Sequence, residues 1–238
     1  MTNRDTETSE GLPASFRHTS FLDLLADAAY HNRIASSGTD AYQISRAARA
    51  SISASFLSIE CFANGLIDAL NAPAKLKEEL DKLPALAKID LALGINEKEP
   101  LDRGSTQVQR VADLIKLRND YVHPKTVTTN ALIHPSEESE ESYSVPFSVE
   151  AKFWPALRIP KYSVLWDASS SKITLSAVVD FYRHVLVDKL QATDELITKT
   201  LLSRFEFSNV LMPAIFDEYK TELDRLKQDG IDFSFLNL

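Results

Sequence analysis

The chain has 238 residues, 44% of them hydrophobic and 25% charged, a balance that excludes a largely disordered or collagen-like polypeptide. At about 150 residues per domain, that length makes one or two domains. The formal net charge of −8 excludes a dedicated basic coat for duplex DNA, so any nucleic-acid contact must come from a local patch.

Residues 1–17 are polar and read as a flexible N-terminal segment, and residues 18–238 as one helical domain. Met1 to Pro13 holds no apolar run of the signal-peptide kind. Phe21, Leu24, Leu25 and Ala28 set out a short helix over 19–35. From Asp40 to Leu70 there is no proline and one glycine, Gly65. Ile52, Phe56, Ile59, Ala63, Leu66 and Leu70 follow one another at steps of three and four, the face of a single long helix. Ala72-Pro73 ends it, and residues 75–96 read as one or two shorter helices interrupted near Pro84. Ser105 or Thr106 then caps a helix that runs to about Val122. Pro124 disfavours helical geometry at His123, so the helix stops there.

Residues 125–172 change character and read as a small β-containing insertion. They hold an acidic serine run, Ser136 to Ser142, which reads as a solvated loop dispensable for folding. They also hold β-leaning stretches at Tyr143–Val149 and Leu157–Trp166. A second long helix is expected from Thr174 to Phe205, and a last one over about 213–228. Glycine is scarce, at 6 residues, which argues against an all-β sandwich. No run of about 18 apolar residues occurs, so no membrane span is expected and the default location is the cytoplasm.

One segment stands out. The stripe of the 105–122 helix reads Val108, Val111, Ile115, Arg118, Val122, which puts Arg118 on the apolar face. A charge there must be paired, or the face must line a groove or an interface. His123 follows where the chain leaves the helix, next to the partial negative charge of the helix C-terminus. Arg118 can hold a phosphate through bidentate bonds, and His123 can move a proton. The plain structural reading is an arginine near a helix end and a histidine that caps it.

The segment Leu117-Arg-Asn-Asp-Tyr-Val-His-Pro124 resembles the signature of the HEPN superfamily, the higher eukaryotes and prokaryotes nucleotide-binding domains, in which an arginine precedes a histidine by a short spacer. Phe56 to Asn64 also resembles the long first core helix of several such families, and the likeness spans about 39–123 and 174–205. The resemblance implies a mainly α fold: a HEPN-like up-and-down helical bundle, here with an insertion. It implies a metal-independent endoribonuclease or an RNA-binding protein, with Arg118 and His123 catalytic and Asn119 supporting them. It implies a homodimer in which two motifs face one another, action in a toxin or phage-defence setting, and a cognate antitoxin or defence partner. Other members of the superfamily are noncatalytic interaction modules, and that alternative stays open. Asp120, inside the motif, departs from the expected pattern because its charge repels phosphate.

Among the remaining candidates, Glu60 either pairs with Arg118 or reaches solvent as a boundary residue, and Asn64 joins the same polar cluster one turn on. Asp180, His184 and Asp188 share a helix face at metal-ligand spacing but read as a solvated face. Cys61, the single cysteine, reads as a small core side chain, and Trp154 and Trp166 pack the insertion onto the bundle. Gly-rich phosphate loops, nucleophile elbows and zincin helices are absent, so neither a metal nor a cofactor is expected.

Overall fold

Four long helices whose apolar stripes follow the sequence periodicity form the frame of the computed structural model, which describes residues 13–134, 147–208 and 210–236. They are α1 (Phe21–Ser37), α2 (Ala41–Ala69), α5 (Thr106–Val122) and α6 (Ala168–Arg183). Two shorter helices, α3 (Ala74–Leu80) and α4 (Ala85–Ile95), lie between α2 and α5 and are separated at Pro84. The chain is mainly helical, as expected.

Side-chain caps start three of the long helices, and the one at α5 is the Ser105 cap expected from the sequence. Asp40 accepts from the Gln43 amide at α2, Ser105 from the Val108 amide at α5, and Asp167 from the Ser170 amide at α6. Cross-contacts set the directions. Ser51 Oγ donates to the Ala28 carbonyl and Phe21 packs on Phe62, so α1 and α2 run antiparallel. Tyr121 stacks on Trp166 at one end of α5, and Arg110 lies 3.9 Å from Asp180 at the other, so α5 and α6 are antiparallel too. Phe21, Phe62, Phe181 and Tyr182 interlock at the centre, all fully buried. Each contributes about 1.5–3 kcal/mol of apolar burial. The one polar atom in this cluster, the Tyr182 hydroxyl, meets Ser58 Oγ at 2.6 Å.

By length and composition α2 passes the test for a membrane-crossing helix, although it contains no continuous apolar run. Of its most apolar window, 61% is buried inside the protein.

The second half departs from expectation in three ways. The helix expected over 174–205 starts at Ala168, widens to π-helical geometry over His184–Lys189 and stops at Gln191, whose φ is +52°. A separate helix, α7 (Asp194–Leu201), restarts under a Thr193 cap. Arg204–Phe207 is then a strand, β4, at the centre of an antiparallel sheet with β1 (Ser15–Arg17) and β5 (Val210–Pro213). So the segment read as a flexible N-terminus carries an ordered strand at its end, registered Phe16 to Phe205. A helix α8 (Asp217–Gln228) closes on α1 through Arg33, which donates twice to Glu222. Gly65 allows α7 to approach α2, because a Cβ there would sit 2.2 Å from the Thr200 carbonyl oxygen.

Among its described residues the insertion holds one antiparallel strand pair, β2 (Ala131–Ile133) with β3 (Phe147–Val149). Leu157–Trp166, expected to be β-like, forms a single bridge between Phe153 and Pro160 and a turn of 3-10 helix at Ser163–Leu165. The acidic run Ser136–Ser142 lies outside the described residues.

Candidate functional site

The site is built where α5 ends. Its buried face is Val108, Val111, Leu114 and Leu117, with Ile115 partly buried. Leu117, not Arg118, takes the inward position at the last turn, and Val122 is half exposed. Arg118 therefore sits one residue round from the stripe expected of it, at the boundary of the core.

Arg118 Nη1 donates to Asn119 Oδ1 at 3.1 Å. The Arg118 Nε is buried without an acceptor among the described residues. A buried donor left in that state costs about 1–3 kcal/mol. Glu60 is half-buried and forms no ion pair with Arg118. Asn64 turns to α4, where its Oδ1 accepts from the buried Lys88 Nζ at 2.5 Å. The structure thus joins Arg118 to Asn119 and leaves Glu60 and Asn64 apart from both.

His123 terminates the helix with φ −117° and ψ 64°, its amide donating to the Asn119 carbonyl. Its ring is exposed and lines a cavity of about 660 Å³ between the end of α5 and the insertion. Arg118 is not in that lining. The cavity instead takes Lys125, Lys152 and Lys161, set against one carboxylate, Asp120. None of these four side chains forms an ion pair with a described residue. In a chain of net charge −8, this is a local basic patch.

Aromatic rings supply its walls. Trp166 is buried, donates its indole N–H to the Pro160 carbonyl at 2.7 Å and stacks on Tyr121 with centroids 5.4 Å apart. Tyr121 is 37% exposed and is braced at its edge by Phe56. Trp154 is buried under the Lys161 ammonium, 4.7 Å from the ring centroid. The Trp154 indole N–H has no acceptor among the described residues.

Asp113 holds this wall in place, a role the sequence did not reveal. It is 7% exposed, on α5, and its Oδ2 accepts from the Ala156 and Leu157 amides of the insertion at 2.7 and 3.3 Å. On the chain it reads as one more polar residue between apolar ones. Its partners lie more than forty residues away, and local pattern carries no trace of them.

Elsewhere, His184 Nδ1 lies 3.0 Å from Asp188, while Asp180 turns to Arg110. Among the described residues no group of three or more His, Cys, Asp or Glu is placed to hold a metal ion. Cys61 and Asn64 line a second, smaller cavity of about 340 Å³ with Arg17 and Arg204. Those two arginines are already paired, with Asp68 and Glu206.

No family model, no curated protein and no solved structure matches the chain.

Proposed function

We propose that this is a HEPN-like RNA-binding protein of the cytoplasm that cleaves RNA without a metal ion when two copies bring their motifs together. The observation that supports it most is the placing of His123 beside three unpaired lysines and an aromatic wall. Lysines attract the phosphates, and exposed aromatic faces stack unpaired bases. His123 takes the proton of a ribose 2′-hydroxyl. The 2′-oxygen attacks the adjacent phosphorus, and the 5′-oxygen departs with a proton supplied by water, leaving a 2′,3′-cyclic phosphate. Arg118 stabilises the charge on the phosphate oxygens through its guanidinium. A toxin or defence role, with a cognate partner, belongs to the same reading.

The experiment is cleavage of labelled single-stranded RNA by the full chain with chelator present. Wild type is expected to cut. Arg118→Ala and His123→Ala are each expected to abolish cutting with the thermal midpoint little changed. Arg118 is only half-buried and bonded to an exposed neighbour, so its removal costs at most about 1 kcal/mol. Activity kept by either variant rejects the assigned roles.

A second reading has one observation in its favour. Arg118 lies outside the His123 cavity, which suits a noncatalytic module that binds RNA or a partner on this face. Binding without cleavage by wild type at every RNA tried would select it.

A further inference from the structure

The motif has an acidic residue where phosphate chemistry wants none. Asp120 lines the His123 cavity, is exposed, and has no ion-pair partner among the described residues, although three lysines line the same space. A carboxylate kept free of three available cations is placed to accept hydrogen bonds from something else.

Opposite charges and rings divide the cavity into parts. Tyr121 presents one face to the buried Trp166 and retains 37% of its surface exposed, so a planar ring can extend that stack. Lys125, Lys152 and Lys161 supply donors for phosphate oxygens. The carboxylate of Asp120 accepts only. Among the four bases, guanine presents two adjacent donors on its Watson–Crick edge, N1–H and N2–H2, which match the two oxygens of a carboxylate. Adenine, cytosine and uracil each present an acceptor beside a single donor group there. A volume of about 660 Å³ admits one nucleotide with room to spare.

We infer that this cavity is a guanine-nucleotide slot, in which Tyr121 stacks the base, Asp120 reads its Watson–Crick edge and the three lysines hold the phosphate. The inference rests on reading the cavity as the RNA site, and adds the base it selects. The ligand is a free guanine nucleotide or a guanosine in single-stranded RNA.

The chain carries its own reporter. Its two tryptophans, Trp154 and Trp166, both line the cavity, so occupancy quenches the intrinsic fluorescence. The full chain is titrated with the four nucleoside 5′-monophosphates, with inorganic phosphate, and with RNA oligonucleotides of uridine that hold one guanosine or none. GMP is expected to bind about tenfold or more tighter than the other three, the discrimination a bidentate base contact gives. Asp120→Asn should erase that preference while weak binding of all four remains. Tyr121→Ala should weaken all four by about tenfold. Circular dichroism and thermal melts check that both variants are folded; Asp120 is exposed, and Tyr121→Phe, which keeps the packing on Phe56 and Trp166, serves as the folded control for the ring. Preference among the oligonucleotides but not the free nucleotides places the slot on RNA, and preference among the nucleotides alone makes it a nucleotide-binding site.

Equal binding of the four bases in both sets overturns the inference. So does inorganic phosphate binding as tightly as GMP, or a preference that survives in Asp120→Asn. Cleavage is not read here. RNA binding without preference removes the guanine slot and leaves the proposed function, whereas GMP binding without any RNA binding removes the proposed function and leaves the slot.

Discussion

A shift of one residue around α5 changes what the motif arginine does. With Leu117 inward, Arg118 escapes the buried-charge penalty that its expected place on the stripe would carry, and needs no carboxylate to survive. Glu60 forms no ion pair with Arg118 among the described residues, which fits its reading as a boundary residue, and Asn64 turns instead to Lys88. Cys61 is a second case where surroundings decide chemistry. Burial, then the charges of Glu60 and Asp23, push its thiol above the ordinary range. The folded chain therefore keeps the proton at mildly alkaline pH, where the unfolded chain has lost it. Alkylation of Cys61 should be several-fold slower in the native protein than in urea. Stability should also fall as pH rises past the ordinary thiol range, because the unfolded state releases its proton first. The buried Tyr182, shifted upward by the same cause, adds to that slope at higher pH. Equal native and unfolded alkylation rates, followed by mass spectrometry, would show that the thiol is not shielded.

At the scale of elements, the helices with side-chain caps and strong periodicity were legible: α2 and α5 fall within a residue of expectation. What was not legible depends on partners far along the chain. β1 is three residues long and exists only because β4 lies beside it, nearly two hundred residues on. The break between α6 and α7 uses neither glycine nor proline but a π-helical widening and a left-handed Gln191, which residue type does not announce. Of the candidate site, the motif and the end of its helix could be read. The cavity could not, because its other wall is an insertion with little regular structure, fixed by Asp113. Replacing Asp113 by alanine strands the buried Leu157 amide, at about 1–3 kcal/mol, and the part-buried Ala156 amide, at somewhat less. We expect Asp113→Ala to lower stability by about 2–5 kcal/mol. The loosened wall should also expose Trp154 and Trp166 and shift their emission to the red. A denaturant melt that matches wild type, with unshifted emission, would mean that the insertion is held by its apolar contacts alone.

For the whole molecule, the proposed cleavage needs a second copy. Within one chain, His123 lines the cavity and Arg118 does not, so a phosphate held beside the histidine lacks its arginine. In the proposed dimer, a two-fold axis near the end of α5 would repair this, because such an interface would bring each motif against its mate and make two equivalent sites. Each site then takes His123 from one chain and Arg118 from the other. That arrangement makes a quantitative forecast for mixed variants. Arg118→Ala and His123→Ala homodimers are both dead. When the two are co-refolded in equal amounts, random pairing makes half of the dimers mixed. A mixed dimer has one site with both groups intact and one with neither. Activity should therefore return to about one quarter of wild type, with no new residue introduced. Light scattering at micromolar concentration should show the dimer in all three preparations. If the mixture stays dead while the mixed dimer is demonstrably present, the two groups act from the same chain or not at all, and the shared site is wrong. If no dimer forms and wild type still cuts, the arginine must reach the phosphate within one chain, by a movement at the last turn of α5 that draws Arg118 away from Asn119.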